Sequence, residues 1–278
     1  MRDQYPPKET ILELQEIDLE IFKKSKTIED YWNNAHQSKY SYWTSSNNTF
    51  LGIAKGLSIP KKLKGKSVLV IGPGGHGPEL YGAKALGAKV AGLDVSQVAR
   101  EKFKNDFEMF SWENLKGQYQ EIWMHLVAQH MTDEVLLDSL KKIKSHLTKD
   151  GVLRVQFAVP YSPKIFIRSN RFNSLDSCKS GANIRSFDQI SLFVKEIGFK
   201  LNRAQITSIY PEHKSAHLTL AVSLKSAPIR HNYVQMRMNK FQMASNLKVT
   251  SFPNYLGVEF RSLRVLLRKM KKLSGRQK

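Results

Sequence analysis

Apolar and polar positions alternate along this chain in two different periods, and the switches between them outline the fold. Residues 68–71 (VLVI) form a short apolar run closed by glycines, which suits a strand buried on both faces. A glycine-rich turn follows, then a helical stretch, then a second strand ending on Asp94. Residues 97–104 suit a short helix, 107–110 a third strand, and 120–126 (QEIWMHL) a fourth that ends at His125 and Leu126. In residues 133–147 the positions Val135, Leu136, Leu140, Ile143 and Leu147 recur on one helical stripe. Asp150 and Gly151 then turn the chain into a fifth strand over 152–159.

The period is lost from Pro160 to Arg185, where Ser, Asn, Arg and Gly dominate. A loop of that length in a compact domain suits a lid or binding loop. Residues 186–197 read as a helix ended by Gly198. Strands near 200–209 and 217–224 are joined so tightly through Tyr210-Pro211-Glu212-His213 that they must form a hairpin, which makes the last strand antiparallel. Strands alternating with helices at this spacing predict a parallel sheet covered on both faces.

Both ends of the chain differ from this middle. In residues 1–60, Ile11, Leu14, Ile17 and Ile21 share a helical face that Thr10 and Glu13 would cap, and Thr27 with Asp30 would start a second helix. Tyr31, Trp32, Asn33, Asn34, His36, Tyr40, Tyr42 and Trp43 then crowd together, either as a pocket wall or as an anchor onto the core. Residues 226–278 show little pattern until Phe260, Leu263, Leu266, Leu267, Met270 and Leu273 recur at helical spacing among Arg and Lys.

Charge sharpens the contrast. The chain has 278 residues and a net charge of +20, yet residues 1–60 hold 7 basic against 8 acidic side chains and residues 226–278 hold 12 against 1. A basic amphipathic helix over 257–273 suits an anionic membrane surface, or equally an acidic protein or the chain's own core, with nucleic acid less favoured. The amino terminus has neither signal-peptide nor transit-peptide character, and no apolar run reaches the roughly 18 residues of a membrane span. The reading is a cytoplasmic protein, peripheral at the inner membrane face. The single cysteine, Cys178, excludes an internal disulfide, and no metal-ligand spacing is visible.

Gly72-Pro73-Gly74-Gly75-His76-Gly77 fits the G-x-G-x-x-G fingerprint, and Asp94 stands 22 residues beyond Gly72. Taken alone, that spacing suits a dinucleotide such as NAD. The antiparallel final strand argues otherwise. With it, the turn, the following GAKALGAKVAGLDVS and the segment from Tyr119 to Leu153 resemble the class I S-adenosylmethionine-dependent methyltransferases, in their small-molecule and glycan (type 11-like) branch.

The resemblance covers about residues 61–225 and implies a Rossmann-like seven-stranded methyltransferase sheet, with residues 1–60 as a helical cap and 226–278 as a basic helical tail. It implies that Gly72, Gly74 and Gly77 pass under the amino-acid end of the cofactor and that Asp94 binds the ribose hydroxyls. Ser111 and Trp112 would flank the adenine, and the methyl group would point toward His125 and Leu126. The family usually has an acid two residues before the first glycine. Val70 stands there instead, one extra residue lengthens the turn, and Glu79 is the substitute at hand.

Methyl transfer to oxygen needs a proton acceptor, for which a neutral histidine is suited. His130 is favoured because it follows the fourth strand, with His125 and His36 as further candidates and His213 a more distant one. The cap and the polar loop suit a hydroxylated acceptor such as a sugar or glycan. RNA methylation, an NAD-dependent oxidoreductase and a non-catalytic binding protein are the alternatives.

Overall fold

The structure, a computed structural model, describes residues 16–17, 19–38, 49–160, 183–210 and 215–225. Within them lies a seven-stranded sheet in the order β3-β2-β1-β4-β5-β7-β6. The strands are β1 (Ser67–Ile71), β2 (Lys89–Leu93), β3 (Glu108–Phe110), β4 (Tyr119–Met124), β5 (Leu147–Pro160), β6 (Lys200–Tyr210) and β7 (Ser215–Ser223). The first five are joined in parallel, while β7 lies antiparallel between β5 and β6, as the short hairpin requires.

From β1 the chain winds outward to β2 and β3, then returns to place β4 on the other flank of β1. The carboxyl ends of β1 and β4 thus form a topological switch point, where open α/β sheets leave a crevice. Helices α1 (Ile28–Gln37), α2 (Phe50–Gly56), α3 (Pro78–Ala85), α4 (Gln97–Phe103), α5 (Asp133–Ser145) and α6 (Phe187–Ile197) surround the sheet.

Local chemistry explains the boundaries. Thr27 caps α1 and Ser186 caps α6, each in a reciprocal capping box, and Gly198 ends α6 at φ 77°. Two cores flank the sheet. One gathers Leu69, Ile71, Ile122, Met124, Val155 and Phe157 under Leu136, Leu140, Ile143 and Ile190. The other sets Val68, Val70 and Trp123 against Ile53, Leu57, Leu80 and Phe103. A third cluster, Ile21, Tyr31 and Ala35, holds α1 to the helical residues 19–24.

Three boundaries differ from the sequence expectation. β4 stops at Met124, so His125 and Leu126 lie beyond the strand. Leu126 turns the chain at φ 57°, a left-handed conformation costing an ordinary residue roughly 1 kcal/mol. Val135 is half exposed, and Leu147 opens β5 rather than closing the α5 stripe. Asp150 and Gly151 do not interrupt β5: the strand continues through them across a register shift against Tyr119 and Glu121. An irregular ladder accommodates polar residues that read as a turn.

Most of the loop after Pro160, together with Tyr40, Tyr42, Trp43, Cys178, His213 and the amphipathic segment 257–273, lies outside the described residues. Among those described, no helix is long and apolar enough to cross a membrane.

Candidate functional site

The glycine turn brings bare backbone to the carboxyl edge of β1. Gly72 donates its N–H to the Leu93 carbonyl at 2.7 Å and sits at φ 65°, and a Cβ there would lie 2.4 Å from Val127 Cγ2. Gly77, at φ 55°, opens α3 where a Cβ would meet the Phe103 ring at 2.9 Å. Both positions therefore exclude a side chain on conformational and on steric grounds. Gly74 has φ 65°, and the Gly75 carbonyl accepts from Lys102 Nζ.

Asp94 follows β2 and is 4% exposed. Its Oδ1 accepts the Ser96 N–H at 2.9 Å and its Oδ2 the Gly74 N–H at 3.3 Å, so one carboxylate joins the turn to the start of α4. Burial raises its pKa from 3.8 to about 6, against the lowering effect of these hydrogen bonds and of Arg100. Each oxygen keeps acceptor capacity for a further donor.

A second buried acid stands across the turn. Glu79, in the first turn of α3, is 5% exposed and accepts from His125 Nδ1 at 3.1 Å. Its Oε2 is buried with no hydrogen-bonding partner among the described residues. With Nδ1 donating to the carboxylate, the lone pair of a neutral His125 is on Nε2. His217 on β7 is pushed down to a pKa of about 4, mainly by burial and then by His125.

The cap reaches the same edge. Asn33 Oδ1 accepts from Ser96 Oγ at 2.9 Å and from the Val98 N–H at 3.2 Å, fastening α1 to the start of α4. Trp32 packs edge-on to His130, with ring centroids 5.0 Å apart, and stacks at a tilt with His36 at 5.7 Å. His36 is pushed down to a pKa of about 4 by burial, then by Lys102 and His76. It is neutral at pH 7 and a weak base. The aromatic run thus divides: Tyr31 is core and Asn33 a fastener, while Trp32 packs against that core and carries ring contacts to both His36 and His130.

His130 ends the 3-10 turn Ala128–His130, and its Nε2 lies 3.3 Å from Gln129 Nε2. The far side of this turn is held from residues 183–185. Asn183 N–H donates to the Gln129 carbonyl at 2.7 Å, and Arg185, almost wholly buried, donates to the carbonyls of Ala128 and Met131 and pairs with Asp133 at 2.8 Å. No local signal marks this clamp, because its partners lie more than 50 residues apart.

Ser111 and Trp112 follow β3 on the same edge. Ser111 N–H donates to Asn114 Oδ1 at 2.8 Å, and half-buried Trp112 packs on the core beside Phe110. The carboxyl edge of the sheet thus gathers Gly72, Gly74, Gly77, Asp94, Ser111, Trp112, His125, Leu126 and His130, with His36 supplied by the cap.

No protein-family model and no curated protein matches the chain. Among solved structures it is similar to the cyclopropane synthase MmaA2 from Mycobacterium tuberculosis, at 12% identity over 74% of this chain and 97% of that one, with a TM-score of 0.52. It is similar to phosphoethanolamine N-methyltransferase 2 of Haemonchus contortus in complex with S-adenosyl-L-methionine, at 13% identity, 73% and 61% coverage and a TM-score of 0.52. The mitomycin 7-O-methyltransferase MmcR matches at 13% identity, 76% and 67% coverage and a TM-score of 0.50. At these identities the likeness is one of fold, and the fold is the Rossmann-like one of class I methyltransferases.

Proposed function

We propose that this chain is an S-adenosylmethionine-dependent methyltransferase that methylates a hydroxyl of a small molecule, with sugars and glycans the favoured acceptors. The observation that carries the reading is the pairing of a left-handed glycine turn with two buried carboxylates, Asp94 and Glu79, at the switch point of a sheet whose β7 is antiparallel. A dinucleotide would bring its diphosphate to the start of α3. There the buried Glu79 would repel it, whereas an end bearing an amino group would be welcome.

The residues present fit the cofactor. The left-handed turn of Gly72, Gly74 and Gly77 offers backbone to its amino-acid end at the edge of β1, Asp94 has acceptor capacity for ribose hydroxyls, and Ser111 with Trp112 offers an adenine wall. When bound, S-adenosylmethionine supplies an already activated methyl electrophile. The protein's own work is then to orient the acceptor, exclude water and take up a proton.

His130 is the proton acceptor we favour. It ends a 3-10 turn whose Ala128 carbonyl is held by Arg185, and its ring packs edge-on to Trp32, so the backbone and the imidazole are each held in place. His36, with its lowered pKa, serves better as a neutral wall. His125 would line the methyl end with Leu126, oriented by Glu79.

Titration calorimetry of the purified protein with S-adenosylhomocysteine and, separately, with NAD tests the reading. Binding of the first alone is expected, and binding of NAD alone overturns it. The basic segment 257–273 would hold the protein at an anionic inner membrane face near lipid-linked acceptors. Deleting residues 257–278 is then expected to abolish sedimentation with anionic liposomes while sparing cofactor binding, and unchanged sedimentation removes the membrane role.

A further inference from the structure

We propose that the unmet oxygen of Glu79 is the seat of the cofactor's α-amino group, an assignment that rests on the methyltransferase reading above. Glu79 is 5% exposed, and its carboxylate is already oriented by His125 Nδ1 at 3.1 Å on Oε1. Oε2 is buried beside it with no hydrogen-bonding partner among the described residues. A carboxylate oxygen away from water is costly when nothing donates to it, so such an atom marks where a donor belongs.

The donor's chemistry follows from position. Glu79 lies in the first turn of α3, directly after the turn of Gly72, Gly74 and Gly77. The amide N–H groups at a helix start favour a negative side chain at this position, and none of them is a partner of Oε2 among the described residues. An ammonium group presents N–H donors and the complementary charge, and a charge-assisted hydrogen bond of this kind is about twice as strong as a neutral one.

His125 is a positioning residue in this arrangement. By holding Oε1 it fixes the carboxylate plane and hence the direction of Oε2. The strand position before the turn carries Val70, which is buried in the apolar core and offers no charge.

The test uses two ligands and two proteins. Calorimetry would compare S-adenosylhomocysteine with its deaminated analogue, in which hydrogen replaces the amino group, on the wild type and on Glu79→Gln. The wild type is expected to prefer the amine-bearing ligand by on the order of 10- to 100-fold. Glu79→Gln is expected to lose that preference while holding the deaminated ligand within about twofold of wild type, since the mutation then removes only the pairwise interaction.

Equal affinity of the wild type for both ligands overturns the assignment, and this arm stands even if the variant does not fold. Parallel loss of both ligands in the variant also overturns it, because Glu79 would then act only on the shape of the site through His125. A wild type that binds neither compound removes the methyltransferase reading itself, which is a different failure.

Discussion

Asp94 and Glu79 flank the same turn at nearly the same burial, 4% and 5% exposed, yet their oxygens are engaged differently. Asp94 has a backbone N–H on each oxygen, from Ser96 and from Gly74, and so is part of the frame of the loop. Glu79 has a side-chain partner on one oxygen and none among the described residues on the other. One acid builds the corner, and the other is held ready beside it. Equal burial therefore does not mean equal function: Asp94, with a backbone donor on each oxygen, holds the frame and has only spare lone pairs to offer a ligand, whereas Glu79 keeps a whole oxygen unengaged.

The most direct way to break this comparison is Asp94→Ala. It strips the acceptor from two N–H groups at a buried corner, and a loss of about 2 to 4 kcal/mol in urea unfolding is expected. An unchanged midpoint would mean that Asp94 is no part of the frame. Gly72→Ala comes next, at about 2 kcal/mol, because its φ of 65° and the 2.4 Å approach to Val127 act together. Gly65→Ala is the control, since its φ of 76° meets open space and only the conformational cost of about 1 kcal/mol remains.

Acidity sharpens the comparison further. Below about pH 6 Asp94 takes up a proton and its capacity to accept from a ribose hydroxyl weakens, so cofactor affinity is expected to fall by up to about tenfold per pH unit. Affinity level from pH 5 to 7.5 would exclude Asp94 from the cofactor site. Its contribution to folding runs the opposite way. The folded pKa lies above 3.8, so that contribution is fullest below about pH 4 and is lost as pH rises through about 6. The smallest effect belongs to Glu79→Gln without ligand: replacing a half-satisfied carboxylate by a neutral amide is expected to change stability by no more than about 1 kcal/mol. A loss as large as that of Asp94→Ala would erase the distinction between the two acids.

Much of this frame was legible in the chain because its signals are local. The apolar run before Gly72, the caps Thr27 and Ser186, Gly198 and the tight hairpin each declare themselves within a few residues. The start of β5 was not legible, because Lys149, Asp150 and Gly151 have turn chemistry and only the neighbouring strand keeps them extended. Val135 was drawn into the α5 stripe by periodicity, which cannot tell that the helix face turns away from the sheet there. The site divided along the same line. Gly72, Gly74, Gly77 and Asp94 follow from spacing, and Glu79 was visible as a substitute acid. Its pairing with His125, 46 residues away, and the hold of Arg185 on the Ala128 carbonyl, 57 residues away, exist only once the sheet has assembled.

The indole of Trp32 gives the cap a voice in the ultraviolet. Its ring lies edge-on to His130 and tilted over His36, so a proton arriving on the nearer imidazole puts a quenching cation against the excited indole. An acceptor sliding between cap and turn would alter the same emission from the other side. Replacing Trp32 by Phe would silence that change against the emission of Trp43, Trp112 and Trp123, and with the cofactor product already bound the entry of an acceptor could be timed in the stopped flow without a label.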